Sequence, residues 1–79
     1  MSNILEEFFY NINMNIGKII KQLRKDTNVS RKTLAENIGV DVRMISYWES
    51  GTNEPKASYV YKLAVFFGVS ADYLLGLED

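Results

Sequence analysis

An all-α fold follows from three features of this 79-residue chain. Apolar residues recur at i, i+3, i+4 and i+7, which is the spacing of one helix face. Serine, aspartate and glycine stand where helices begin and end. Strand signals are poor, with one proline, no Asn-Gly or Asp-Gly hairpin pair and no sustained alternation.

The elements follow in order. Ile4, Leu5, Phe8, Phe9 and Ile12 fall within an arc of about 140°, opposite Glu6, Glu7, Tyr10 and Asn11. This predicts an amphipathic N-terminal helix over residues 1–13. Ile16, Ile19, Ile20 and Leu23 form one face of a first core helix, which Asp26-Thr27-Asn28 ends. Ser30 suits the N-cap of a helix running to Ile38, because its hydroxyl accepts from free first-turn amides. Gly39 supplies the left-handed residue of a tight turn. Asp41 then caps a third helix through Ser50. Gly51-Thr52-Asn53-Glu54-Pro55 is a loop, and the fourth helix spans about Ala57 to Phe67, stopped by Gly68. Lys56 stands where that helix would want a Ser or Thr cap. Ser70 caps a short fifth helix, Ala71 to Leu75, ended by Gly76.

Composition narrows the function. A chain with 47% hydrophobic and 24% charged residues is globular rather than disordered. It has no cysteine and no histidine, so disulfides, thiolate sites and the commonest transition-metal ligand are excluded. Neither a phosphate-cradling glycine loop nor clustered carboxylates on one face is present, and no catalytic residue, cofactor or metal is expected. No apolar run approaches the roughly 18 residues that span a bilayer. A cytoplasmic protein is expected, with no membrane partner and no small-molecule substrate.

Net charge is −1, which by itself argues weakly against binding nucleic acid. Charge by segment reads differently. Residues 1–13 carry −2 and residues 57–79 carry −2, whereas residues 14–56 hold eight basic and five acidic side chains. The positive charge is confined to the middle, which is what a local phosphate-facing surface needs.

At 100° per residue the third helix splits into two sides. Val42, Arg43, Ser46, Tyr47 and Ser50 share an outward arc of about 140°, while Met44, Ile45, Trp48 and Glu49 pack. Ala35 is small where two helices must approach, and Val40 and Ile45 fill the angle between them. Leu34-Ala35, Ile38-Gly39-Val40, Ile45 and Trp48-Glu49-Ser50-Gly51 resemble the helix-turn-helix of the phage Cro/repressor (XRE-type) family. Ile16-Gly17 through Leu23-Arg24 before it and Pro55 after it agree. The resemblance covers about residues 14–76. It implies a five-helix lambda-repressor-like DNA-binding domain over residues 14–79, to which residues 1–13 are an addition.

By position, the resemblance implies base reading by Val42, Arg43 and Tyr47, with Ser46 on the same arc as a further candidate. It implies phosphate contacts by Arg31, Ser50, Thr52, Asn53 and Lys56, and a structural ion pair between Arg24 and Glu49. The chemistry suits these roles. Arg43 can bond guanine O6 and N7 in a bidentate manner, Val42 suits a thymine methyl, and Tyr47 offers ring and hydroxyl. Arg31 adds charge to a helix N-terminus already suited to anions. Glu49, near a helix C-terminus, opposes the macrodipole and needs a partner. The plainer alternative is that the outward polar residues are merely solvated. Trp48 belongs to the buried arc and is expected in the core.

Surplus apolar surface remains. Ala57, Val60, Tyr61, Leu63, Ala64 and Phe67 form the expected core-facing arc of the fourth helix, leaving Tyr59, Val65 and Phe66 outside. A dimer interface is expected from Ile4, Leu5, Phe8, Phe9, Ile12, Val65 and Phe66, with the alternative that the N-terminal helix caps its own domain. The leading expectation is a sequence-specific transcriptional regulator, a repressor binding a two-fold operator on double-stranded DNA as a homodimer. The competing one is a protein-interaction module, antitoxin-like or anti-repressor, that uses the apolar patch.

Overall fold

The computed structural model describes residues 4–77, with the side chains of residues 5–15 outside that description. Five helices follow in order: α1 (Ile4–Asp26), α2 (Arg31–Ile38), α3 (Val42–Ser50), α4 (Ala57–Phe67) and α5 (Ala71–Leu74). The described residues contain no strand. α3 packs against α1 and α2, α4 against α2 and α5, and α5 reaches back to α1.

α1 is one helix of 23 residues where the sequence suggests two. No proline interrupts it, and a break would forfeit backbone bonds that a continuous helix keeps. It ends in a Schellman arrangement. Asn28 takes the left-handed conformation at φ 59°, the Val29 amide donates to the Arg24 carbonyl at 2.9 Å, and the Asn28 amide donates to Lys25 at 3.1 Å.

The helix starts follow from local chemistry. Ser30 Oγ accepts from the Thr33 amide at 3.0 Å, Asp41 Oδ1 from the Arg43 amide at 2.9 Å, and Ser70 Oγ from the Tyr73 amide at 2.9 Å. Lys56 precedes α4 without a side-chain cap bond. Gly39 turns the chain from α2 toward α3 at φ 87°, where a side chain would be strained.

Ile16 and Ile20 of α1, Leu34, Ala35 and Ile38 of α2, Ile45 and Trp48 of α3, Val60, Leu63 and Ala64 of α4 and Leu74 of α5 form one core. α4 is turned relative to the expected arc. Tyr61 is 69% exposed, whereas Tyr59 and Phe66 are half-buried against the core. Tyr59 leans on Trp48 with ring centroids 5.4 Å apart, and Phe66 meets Phe67 edge-on at 5.0 Å. The Tyr59–Trp48 contact, made between helices, goes with a turn of α4 by about 60° from the expected centre of its apolar arc. Ala57, expected in the core, is also exposed.

Gly17 is buried at the crossing of α1 and α3. A Cβ built there meets the backbone carbonyl oxygen of Trp48, and the Glu49 carbonyl oxygen lies 3.1 Å away. Backbone cannot rotate aside as a side-chain tip can. Gly17→Ala should therefore destabilise by at least the upper end of the usual overpacking range of about 1–3 kcal/mol. Its helix propensity alone would predict a gain, so urea unfolding of this single variant distinguishes the two effects.

Candidate nucleic-acid interface

The carboxylate of Glu49 anchors the helix pair. Its Oε2 accepts from Arg24 Nε at 2.7 Å, and its Oε1 accepts from Arg24 Nη2 at 3.2 Å. The Glu49 side chain is 4% exposed and that of Arg24 10%. Arg24 Nη1 donates to the Val29 carbonyl at 3.1 Å, so all three of its nitrogens are engaged within the fold. The Val29 carbonyl is held in place by the turn at Asn28. α1, the following turn and the end of α3 are thus joined by one guanidinium.

A second arginine joins the group. Arg31 Nε donates to Glu49 Oε1 at 3.0 Å, and the Arg31 side chain stays 43% exposed. Sequence reasoning placed Arg31 only among phosphate contacts and missed this bond. Arg31 and Glu49 are 18 residues apart, and only folding brings them together. Unlike Arg24, Arg31 bonds Glu49 through Nε alone, and its side chain remains partly exposed.

On α3, Val42, Arg43, Ser46 and Tyr47 are all exposed, side by side on the face opposite Ile45 and Trp48. Trp48 is buried in the core as expected, so it is no stacking platform. Arg43 is not free of the protein. Its Nε donates to Asp41 Oδ1 at 3.1 Å and its Nη2 lies 3.5 Å from Asp41 Oδ2. The hydrogen bond from the Arg43 side chain, then that from its amide, holds the Asp41 carboxyl below the usual carboxylate range. The same side-chain bond raises Arg43.

The loop after α3 is ordered by its own hydroxyls. Ser50 Oγ lies 3.2 Å from the Tyr47 carbonyl, 2.8 Å from Thr52 Oγ1 and 3.4 Å from the Thr52 amide. The Asn53 amide donates to the Tyr47 carbonyl at 3.3 Å. Ser50, Thr52, Asn53 and Lys56 are exposed, and Arg31 flanks α3 through Glu49. A second surface lies on α4 and α5, where Val60, Tyr61, Ala64, Val65, Val69 and Leu75 line an apolar groove of 740 Å³. Of the expected dimer residues, Val65 and Ile4 are exposed and Phe66 is half-buried. The side chains of Leu5, Phe8, Phe9 and Ile12 lie outside the described residues. The described residues contain no group of acidic side chains able to hold a metal ion, and among them no helix is long and apolar enough to cross a membrane.

Two short helices joined through a glycine turn, with a buried arginine–glutamate pair behind the second and a polar face before it, define a helix-turn-helix. The helix-turn-helix family model matches residues 20–74, and the chain belongs to this family, of Cro/repressor (XRE) type. It is 30% identical over 66 residues to the transcriptional regulator ImmR of Bacillus subtilis, covering 84% of this chain and 52% of that protein. It is 35% identical over 66 residues to the transcriptional activator BcrR of Enterococcus faecalis, covering 84% of this chain and 32% of that one. Against the transcriptional repressor RstR of the cryptic phage CTXphi of Vibrio cholerae it is 38% identical over 50 residues, 63% of this chain and 45% of that protein. The chain therefore spans about half or less of these relatives. No solved structure matches it.

The two arginines on Glu49 should differ in their effect on stability. Arg24→Ala leaves a buried carboxylate with only a half-exposed partner and should cost about 3–5 kcal/mol. Arg31→Ala removes a partly exposed arm and should cost under about 1 kcal/mol. Chemical denaturation of both variants, read by Trp48 fluorescence, measures the contrast.

Proposed function

We propose that this protein is a sequence-specific transcriptional regulator that lays α3 in the DNA major groove and occupies a two-fold operator as a homodimer. The observation that carries the reading is the exposed face of Val42, Arg43, Ser46 and Tyr47, mounted on a helix whose far end is fixed by Arg24 and Glu49. Arg43 and Tyr47 read base edges and Val42 packs on a thymine methyl, with Ser46 beside them. Arg31, Ser50, Thr52, Asn53 and Lys56 meet phosphates on either side of the groove and set the register. Repression is the simplest mode of action, because occupancy alone excludes other proteins from the operator. The names of the relatives support regulation, and they include both an activator and a repressor.

A two-fold operator needs two copies. The exposed apolar side chains of Tyr61 and Val65 beside the groove support pairing through α4. Residues 1–13 then act as an extension of the domain at residues 14–79, contributing Ile4, Leu5, Phe8, Phe9 and Ile12 to the same interface, with Phe66 behind Val65. A protein-interaction module would use the same groove with a different partner.

DNA binding is tested by fluorescence anisotropy on duplexes selected from a random pool. Arg31→Ala should weaken binding to all duplexes alike and reduce the slope of log K against log salt by about 1. No binding at low salt, or binding indifferent to Arg31→Ala and Arg43→Ala together, would overturn the reading in favour of the interaction module.

Assembly is tested by sedimentation. Tyr61→Lys with Val65→Lys should convert a dimer to a folded monomer. The same pair should abolish joint occupancy of half-sites one turn, about 34 Å, apart. A wild-type monomer on such an operator would exclude the homodimer.

A further inference from the structure

Of the three ion pairs among the described residues, Asp41–Arg43 alone has both side chains more than half exposed, Arg43 at 77%. An ion pair in solvent contributes little to stability, so holding the fold together does not account for its geometry. Asp41 Oδ1 accepts from the Arg43 amide at 2.9 Å and from Arg43 Nε at 3.1 Å, and Oδ2 faces Nη2 at 3.5 Å. The cap bond fixes the Asp41 side chain against the first turn of α3. The fixed carboxylate then fixes the guanidinium. What remains outward is the far edge of the fork, Nη1 and the outer N–H of Nη2, as a planar pair of donors. That pair matches two acceptors on one base edge, the pattern guanine presents through O6 and N7.

An unrestrained arginine would lose much of its rotamer freedom on binding and could settle on more than one base. We infer that Asp41 is a positioning residue for base recognition, setting the preference of one operator position through Arg43 without itself touching the base. This rests on the DNA-binding reading above. Asp41 also carries negative charge toward a polyanion, so it lowers affinity for every duplex while sharpening choice among them. Selectivity and affinity should therefore move in opposite directions when the charge is removed.

Asp41→Asn makes the test, because asparagine caps helices as well as aspartate does. Its Oδ1 still accepts the Arg43 amide, but the Nε bond to that oxygen loses its carboxylate charge and the NH2 in place of Oδ2 opposes the Nη2 donor, so the fork is released. Wild type, Asp41→Asn and Arg43→Ala are compared by anisotropy on the selected duplex and on duplexes carrying each other base pair at every half-site position. The position at which Arg43→Ala loses discrimination identifies the base read, with wild-type preference there of about 5- to 150-fold. Asp41→Asn should lower that preference by about threefold or more, leaving other positions and the thermal midpoint unchanged. Its affinity for random duplexes should stay equal or rise.

Wild-type preference retained in Asp41→Asn but lost in Arg43→Ala would overturn the inference and leave DNA binding intact. Preference retained at every position in Arg43→Ala would overturn it too, since Arg43 would then read no base. Uniform loss of affinity in Asp41→Asn with a lowered thermal midpoint would assign Asp41 to capping alone. A wild-type protein that binds no duplex at low salt would remove the DNA-binding reading and this inference with it.

Discussion

The position of α3 depends on one buried carboxylate shared by two arginines. Glu49 lies at the C-terminal end of a helix, where a negative charge opposes the dipole, and it is nearly removed from solvent. Both conditions are unfavourable unless the charge is matched. Arg24 from α1 matches it through two nitrogens, and Arg31 from the start of α2 adds a third bond. Well-packed apolar residues of similar volume often stabilise such a site as much. What the ionic arrangement adds is direction. The fork of Arg24 accepts one placement of Glu49, and its remaining nitrogen is tied to the turn at Val29. The rotation of α3 about its own axis, which decides the side chains facing outward, follows from that placement.

The same crossing works only because α1 comes very close to α3. At Gly17 the missing Cβ lets the backbone carbonyls of Trp48 and Glu49 lie against the first helix. This approach brings Arg24, two turns further along α1, within reach of Glu49. Buried Ala35 serves the other side of α3, where α2 packs. Small residues therefore set the separations and the ion pair sets the angle. Among the described residues, no buried side-chain nitrogen or oxygen lacks a partner, so this polar network within the core is fully satisfied.

Much of this was legible before folding is considered, and the reason differs from element to element. Ser30, Asp41 and Ser70 announce helix starts through local bonds that need no tertiary information. The two-sided pattern of α3 was readable because Arg43, Ser46, Tyr47 and Ser50 contrast sharply with Ile45 and Trp48. α4 offered no such contrast, with only Ser58 and Lys62 polar in eleven residues. Its rotation goes with the contact between Tyr59 and Trp48, which lies on another helix. Lys62 places its ammonium 5.6 Å from the centroid of the Tyr59 ring. Nothing local distinguishes Tyr59 from Tyr61. The Arg24–Glu49 pair came from resemblance, whereas Arg31–Glu49 had no local signal because its partners lie on different helices. The continuity of α1 was hidden by Met14-Asn15-Ile16-Gly17, which looks like a beginning.

The arginines also show how a chain of net charge −1 exposes guanidinium donors at its surface. Three guanidiniums lie around α2 and α3, each paired with an acid to a different degree. Arg24 is fully engaged and nearly buried, and it serves the fold. Arg31 bonds Glu49 through Nε alone and remains partly exposed. Arg43 is held by Asp41 on one edge and is open on the other. Pairing does not cancel their usefulness, because a guanidinium has five N–H donors in a rigid plane and a carboxylate can occupy only one edge. Lysine could not be divided in this way, since its charge is a single point on a flexible stem. Arginine at these positions thus lets two acidic residues orient the positive groups around α2 and α3, which net charge alone would not reveal.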